Sequence, residues 1–262
     1  MSWIDQFSLD NQVAIVTGAA GGLGYELVNI LVDCGACVVL ADIDGRKLNE
    51  LSQELAPSGR NVLVQPCDVT RKPDILRLIE RTHEKFQRID VLINCAGILG
   101  SNSLLFETAE SDWDNVLKVN LKGTWMAATE VSKYMVEHAI EGRIVNISSS
   151  LGLRSQLKRI HYAASKAAVE HLTRNLAMEL LQHRIRVNCL APGWMNTKMV
   201  ANILEGAEGE KWRRTIPMQR AAEPVELTGA LLLLASKASS YMTGTVIRVD
   251  GGYSCCAIES PD

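Results

Sequence analysis

The sequence predicts an α/β protein: a single doubly wound domain over residues 1–262, with about seven strands in a central parallel sheet and helices on both faces. Three observations lead to this prediction. Short β-branched runs alternate with longer segments of helical period. The runs are apolar throughout, as in strands that are covered on both faces. No stretch rich in Pro, Gly or Ser divides the chain, and no repeat is visible.

The predicted strands follow one another along the whole chain: Val13–Val16, Cys37–Leu40, Val62–Val64, Val91–Ile93, Ile144–Ile147, Ile185–Val187 and Val246–Val249. Segments of helical period lie between them, at residues 22–34, 45–56, 72–86, 111–139, 162–184 and 223–236. Gly35 and Gly142 stand where the first and the fourth of these helices are expected to stop. Right-handed crossovers then place a ligand crevice beyond the carboxyl ends of the strands.

One segment, residues 198–216, interrupts this alternation. It is too long for a simple connection, and it contains Trp212 and two arginines. Two interpretations stay open: a mobile lid over a substrate site, or an ordinary pair of surface helices.

The formal net charge is −3, so no global basic field exists that would hold nucleic acid or an anionic membrane. The N-terminus shows no signal-peptide pattern, and no apolar stretch approaches the ~20 residues of a membrane span. We therefore expect a cytoplasmic protein whose partner is a small-molecule substrate.

The seven cysteines favour ordinary packing in a reducing compartment. Three of them lie in or beside apolar runs, as buried thiols do: Cys67, Cys95 and Cys189. The pair at 34 and 37 has a redox spacing, but it falls at a helix end, where no helix N-terminus stabilises a thiolate. Cys255 and Cys256 lack His or Asp partners nearby, so we predict no metal site, and their role stays open.

A glycine-rich loop, residues 17–24, directly follows the first predicted strand and leads into a helix. In that order, backbone N–H groups and the helix dipole meet a pyrophosphate, as in a Rossmann-type dinucleotide site. The predicted cofactor contacts in this loop are Gly18, Gly21, Gly22, Leu23 and Gly24.

Asp42 ends the second predicted strand, at the position where a carboxylate binds the ribose hydroxyls of NAD. The next residue is Ile43, and Arg46 and Lys47 come only later, on the following helix. A 2′-phosphate would therefore meet like charge without a compensating cation. The sequence predicts NAD as the cofactor in preference to NADP.

Tyr162 and Lys166 begin a predicted helix, and their four-residue spacing puts them on one face. Ser149 follows the strand at 144–147, which places its hydroxyl at the carboxyl edge of the sheet. A phenol with its free pKa of ~10 is a poor base at neutral pH, but a neighbouring ammonium favours the phenolate. A tyrosine, a lysine and a serine in this arrangement therefore suit proton exchange with an alcohol that loses hydride.

Together these motifs resemble the short-chain dehydrogenase/reductase family, in its main subgroup of about 250 residues, over essentially the whole chain. The nucleotide motif of the family, Thr-Gly-x3-Gly-x-Gly, is matched by Thr17, Gly18, Gly22 and Gly24. Its catalytic positions are matched by Asn120, Ser149, Tyr162 and Lys166.

The resemblance also implies further roles. Ser149 would form a hydrogen bond to the reacting oxygen, and Lys166 would hold the nicotinamide ribose. Asn120 would support a water-linked proton path. Asp68 and Val69 would contact the adenine ring. The segment Asn94-Cys95-Ala96-Gly97 stands for the family's Asn-Asn-Ala-Gly, and implies cofactor contacts at Asn94, Ala96 and Gly97. The loop from Pro192 to Thr197 would lie beside the nicotinamide through Pro192, Gly193, Met195 and Thr197, and Thr197 would hold the carboxamide.

The expected function is therefore NAD-dependent interconversion of a secondary alcohol and a ketone. Cations gather in the loop before Tyr162 and in the 198–216 segment, namely Arg154, Lys158 and Arg159, with His161, then Lys198, Lys211, Arg213 and Arg214. They favour an anionic substrate, such as a sugar acid or hydroxy acid. Solvent exposure, a subunit contact or nearby glutamates are the alternative explanations of these charges.

Two other functions stay open. A 3-oxoacyl-(acyl carrier protein or CoA) reductase would dock its acidic carrier on basic residues, but residues 139–141 and 182–184 form a poor basic pair. A non-catalytic nucleotide-binding module would not need the four catalytic matches. Family resemblance also implies a homotetramer, which an apolar face at Leu172, Leu176 and Leu180 would suit unless these residues pack on the sheet.

Overall fold

The computed structural model describes residues 4–55, 61–197 and 206–255. Within these ranges all the predicted strands are present and form one parallel sheet. They are β1 (Val13–Thr17), β2 (Cys37–Asp42), β3 (Val62–Pro66), β4 (Val91–Asn94), β5 (Arg143–Ile147), β6 (Arg186–Pro192) and β7 (Val246–Val249). Their spatial order is β3-β2-β1-β4-β5-β6-β7, which confirms the doubly wound fold.

The described helices are α1 (Gly22–Asp33), α2 (Gly45–Leu55), α3 (Lys72–Phe86), α4 (Glu110–Leu117), α5 (Thr124–Glu137), α6 (Ile160–Leu180), α7 (Gly206–Arg214) and α8 (Thr228–Ala235). Apolar side chains of α1, α2 and α8 pack in one buried cluster with the sheet, and those of α3, α5 and α6 pack in a second. The helices therefore cover both faces, as predicted. None of them combines the length and the apolar composition of a membrane span.

The single helix expected over residues 111–139 is divided. A π-helical segment, Lys118–Gly123, separates α4 from α5. A π turn inserts one extra residue into the helical ladder, and such turns often occur at functional sites. Here it turns the side chain of Asn120 into the protein, where that residue is fully buried.

The two glycines expected to stop helices differ in their role. Gly35 follows α1 with φ +95° and confirms the expectation. The prediction for Gly142 is wrong, because α5 ends at Glu137 and Ala139, with φ +52°, takes the left-handed conformation. A Cβ at Gly142 would collide with the sulfur of Met135, so this buried side chain packs directly against the glycine.

The carboxyl edge between β1 and β4 is the point where the strand order reverses. Thr17 ends β1, and its hydroxyl accepts hydrogen bonds from the backbone N–H groups of Cys95 and Ala96, at 3.2 and 3.3 Å. The loops that follow β1 and β4 are thereby held together. Ligands of doubly wound sheets bind at such a switch point.

The segment at 198–216 lies partly outside the described residues, which exclude 198–205. Its described part forms α7, and the ring of Trp212 lies 5.1 Å from that of Trp194, between centroids. Ile216, two residues after the end of α7, is buried. The described half of this segment is therefore a packed helix.

Candidate active site

A cavity of about 720 Å³ lies at the carboxyl edge of the sheet. Most of the predicted cofactor residues line it: Gly18, Gly21, Gly22, Leu23, Gly24, Asp42, Asp68, Val69, Ala96, Gly97, Pro192, Gly193, Met195 and Thr197. Ser149, Tyr162 and Lys166 line the same cavity. The fold therefore brings both halves of the predicted site together.

The glycine loop approaches its neighbours too closely for side chains. Gly18 has φ +69°, and a Cβ there would lie 2.7 Å from the backbone of Ala96. A Cβ at Gly24 would overlap the carbonyl oxygen of Gly18. Helix α1 begins directly after this loop, at Gly22, and the first N–H groups of a helix have no partner within it. The bare backbone and the helix N-terminus form a cradle that fits a pyrophosphate.

Asp42 lies between the glycine loop and the end of β2. Its Oδ2 accepts a hydrogen bond from Ala20 N at 3.1 Å, and its Oδ1 accepts one from Asp44 N at 3.0 Å. Two backbone bonds thus fix the carboxylate on the cavity wall. Two cations of α2 are paired with other acids: Lys47 lies 3.4 Å from Asp44, and Arg46 lies 3.9 Å from Glu50.

Tyr162 and Lys166 lie on one face of α6, as their spacing predicted. The Lys166 ammonium is 5.6 Å from the centroid of the Tyr162 ring, and this lysine is only 5% exposed. It donates a hydrogen bond to the carbonyl of Ile147, the last residue of β5, at 2.8 Å. An ammonium carries three donors, so others remain for a ligand.

Ser149 follows β5 and caps the short turn Ser150–Gly152. Its Oγ accepts a hydrogen bond from Leu151 N at 3.2 Å. Because the hydroxyl uses only an acceptor site there, its own proton stays available for a ligand oxygen in the cavity.

Asn120 and Asn94 stand behind the cavity wall. The Asn120 side chain bonds both backbone groups of Ile98, at 2.8 and 3.0 Å, and also donates to Ser165 Oγ at 3.0 Å. It therefore fixes the loop after β4. Asn94 donates to Asn146 Oδ1 at 2.9 Å, between β4 and β5.

The cations before Tyr162 are dispersed. Arg154 stacks on the ring of Tyr253 at 4.0 Å and donates to its carbonyl oxygen. Lys158 is exposed, and His161 is buried. Arg159 lines the cavity. Of the second group, Lys198 lies outside the described residues, Lys211 is exposed, and Arg214 pairs with Glu210.

The cavity also has lining residues that sequence reasoning did not assign to the site. They are Ile43, Cys67, Cys95, Ile98, Leu99, Gly100, Asn115, Val119, Ile147, Ser148, Ser150, Leu151, Gln156 and Trp194. Ile43 is 75% exposed although apolar, and its place beside Asp42 suits contact with a flat ring. The signal available for it in the sequence was an apolar residue directly after the acid that is predicted to bind the ribose.

A phosphate cradle and a tyrosine beside a buried lysine, facing one cavity, define a nucleotide-dependent oxidoreductase. A family model described as enoyl-(acyl carrier protein) reductase matches residues 18–254. The chain is 39% identical to 3-oxoacyl-(acyl carrier protein) reductase FabG of Thermotoga maritima, over 93% of this chain and 98% of that one. It is 36% identical to 5-keto-D-gluconate 5-reductase of Escherichia coli, over 95% and 97%.

Among solved structures, a gluconate 5-dehydrogenase from Burkholderia cenocepacia, in complex with NADP and tartrate, superposes with a TM-score of 0.92. It shares 30% identity, over 98% of this chain and 100% of that one. The chain belongs to the short-chain dehydrogenase/reductase family. It is an oxidoreductase that acts on CH–OH groups and binds a nicotinamide cofactor.

Proposed function

We propose that this enzyme uses NAD to interconvert a secondary alcohol and a ketone, with Tyr162 as the acid/base. The observation that carries the proposal is the placement of Tyr162 and Lys166 on one helix face, in the cavity that also contains the glycine cradle. When bound, the nicotinamide ring accepts or supplies the hydride.

The chain's own residues handle the proton. During oxidation the O–H bond of the alcohol breaks as its carbon loses hydride, and Tyr162 Oη takes the proton. Lys166 stabilises the phenolate form by its charge, and Ser149 donates a hydrogen bond to the reacting oxygen. In the reductive direction Tyr162 returns the proton to the forming alkoxide. The Asn120 side chain forms two hydrogen bonds with the backbone of Ile98, and in this way it supports the cavity wall beside Tyr162 and Lys166.

Further cofactor contacts are part of the proposal. Asp42 binds the ribose hydroxyls, Asp68 and Val69 contact the adenine, and Lys166 holds the nicotinamide ribose. Met195 and Thr197 lie beside the nicotinamide. A Cβ at Gly22 would lie 3.2 Å from Cβ of Thr197, so this loop and the glycine loop approach each other over the cavity.

Absorbance of reduced nicotinamide tests the proposal directly. The purified protein is screened against sugar acids, polyols, hydroxy acids, steroids and acyl thioesters, with NAD and with NADP. Turnover of a secondary alcohol or ketone is the expected result. Cofactor binding without turnover of any of these would favour a non-catalytic module.

We infer that the substrate is anionic, and the inference rests on Arg159. Among the charged residues that line the cavity, Asp42 ends β2 and Asp68 follows β3, whereas Arg159 and Lys166 lie at α6. The end with Tyr162 is therefore the positive one. A guanidinium there suits a carboxylate or phosphate.

Arg159→Ala should lower kcat/KM for an anionic substrate by about tenfold and leave a neutral isostere nearly unaffected, because a charge-assisted bond is lost. Lys158→Ala, an exposed cation of the same loop, is the matched control. Both variants are compared with wild type at low and high salt. Equal losses for charged and neutral substrates would contradict the anionic substrate.

A 3-oxoacyl thioester is the second candidate substrate, because of the similarity to the Thermotoga reductase. The surface expected to dock an acidic carrier holds Arg184, which is paired with Glu141 at 2.9 Å. This pairing leaves little free positive charge and weakens the candidate. The acyl thioesters of the substrate screen decide between the two.

We also propose that the enzyme is a homotetramer. Leu176 is buried in the core, and Leu172 and Leu180 are partly buried against it, which favours packing on the sheet as the explanation of this face. Exposed apolar side chains on α5 and α6, Trp125 at 46% and Met178 at 72%, are the better interface candidates. Light scattering at micromolar concentration should give four times the monomer mass, and a monomer would contradict the proposal.

A further inference from the structure

His161 directly precedes Tyr162 and is 1% exposed, and both nitrogens of its ring have partners. Its Nδ1 accepts a hydrogen bond from the backbone N–H of Tyr162 at 2.7 Å. Its Nε2 lies 2.9 Å from Oδ2 of Asp112 and 3.4 Å from Oγ of Ser101. Because Nδ1 accepts, the proton belongs on Nε2, where it is donated to the carboxylate.

The hydrogen bond from the Tyr162 backbone N–H to His161 satisfies a donor that has no acceptor within helix α6. The first N–H groups of a helix have no intrahelical acceptor, and they are commonly capped by a Ser, Thr, Asp or Asn side chain. Arg159 occupies the N-cap position of α6 and makes no side-chain cap bond. The imidazole of His161 supplies the missing acceptor, at the residue whose phenol faces the cavity.

Asp112 connects this cap to the other wall of the cavity. It lies on α4, and its Oδ2 also accepts a hydrogen bond from Ser101 N, in the loop after β4, at 2.8 Å. Hydrogen bonds from Ser101, together with the nearby His161, hold the pKa of the Asp112 carboxyl below its usual value. Gly100 gives the imidazole room, since a Cβ there would lie 2.8 Å from Cε1 and Nε2 of His161.

We infer that His161 and Asp112 are positioning residues, which hold the start of α6 so that Tyr162 keeps its distance from Lys166. Lys166 is anchored separately, on the carbonyl of Ile147. A shift of the helix start would therefore move the phenol relative to the ammonium. The inference rests on the proposed function, in which Tyr162 exchanges the proton.

Two substitutions separate the contacts of the two ring nitrogens. His161→Ala removes the contacts of both nitrogens. His161→Asn places an amide oxygen near the position of Nδ1, but its shorter side chain does not reach Asp112. His161→Ala should lower kcat by about tenfold, the effect of roughly 1.4 kcal/mol, with the dissociation constant of NAD unchanged. His161→Asn should lie between it and wild type.

The pH profile gives a readout that a merely structural role would not move. With the phenolate farther from Lys166, the acid limb of the kcat profile for alcohol oxidation should shift to higher pH in His161→Ala. His83→Asn is the control, because this half-buried histidine bonds the Tyr134 hydroxyl at 2.8 Å, away from the cavity lining. It should alter Tm and leave the pH profile unchanged.

An unchanged kcat and pH profile in His161→Ala would overturn the inference. If that variant does not fold, nitrogen-15 NMR of the wild-type histidines decides, since His161 protonated on Nδ1 instead of Nε2 would also overturn it. Tyr162→Phe is assayed in parallel. An active Tyr162→Phe enzyme would refute the proposed function itself, whereas an inactive one beside a normal His161→Ala would refute the positioning role alone.

Discussion

Tyr162→Phe should lower turnover by at least ~100-fold, because it removes the only oxygen that exchanges a proton in the proposed mechanism. The ring and its packing stay, so the dissociation constant of NAD should change little. Steady-state kinetics by nicotinamide absorbance and a separate NAD titration by calorimetry measure the two quantities.

Two further variants are compared with Tyr162→Phe. Lys166→Ala should damage both turnover and NAD binding, since its buried ammonium is assigned to the phenolate and to the nicotinamide ribose. Tyr134→Phe is the matched control, because this buried tyrosine bonds His83 and lines no part of the cavity. A Tyr162→Phe enzyme that retains most of its turnover would exclude the mechanism.

Wild-type enzyme should prefer NAD over NADP by at least ~100-fold in kcat/KM. Two charges ~4 Å apart interact by about 4 kcal/mol at a surface-like dielectric, and the 2′-phosphate would face the fixed Asp42 carboxylate. The solved Burkholderia relative contains NADP, so the expected preference for NAD rests on the residues of this chain. In this chain Arg46 and Lys47 are directed to other acids.

Asp42→Ala should narrow the preference for NAD over NADP for two reasons. It removes the repulsion between the carboxylate and the 2′-phosphate of NADP, and it removes the contact to the ribose of NAD. Glu84→Ala is the control, since Glu84 pairs with Arg81 on α3 and lines no part of the cavity. It should leave the preference intact. Comparable efficiency of wild type with the two cofactors would show that Asp42 is wrongly assigned.

The sequence by itself determined the order of strands and helices, because apolar periodicity along the chain reflects burial on a sheet or along a helix face. It also determined the glycine cradle and the shared face of Tyr162 and Lys166. In each case the residues involved are neighbours within a few positions, so their relative geometry follows from the local backbone.

Only the tertiary structure decided which partners meet across the fold. The π turn at Asn120 changes the helical ladder by one residue, and the periodicity of residues 111–139 does not reveal it. Four basic or histidine residues stand close together before Tyr162, yet Arg154 turns to Tyr253, His161 to Asp112, and Arg159 to the cavity. Their partners come from distant parts of the chain, and packing selects among them by distance and by the need to satisfy buried polar groups.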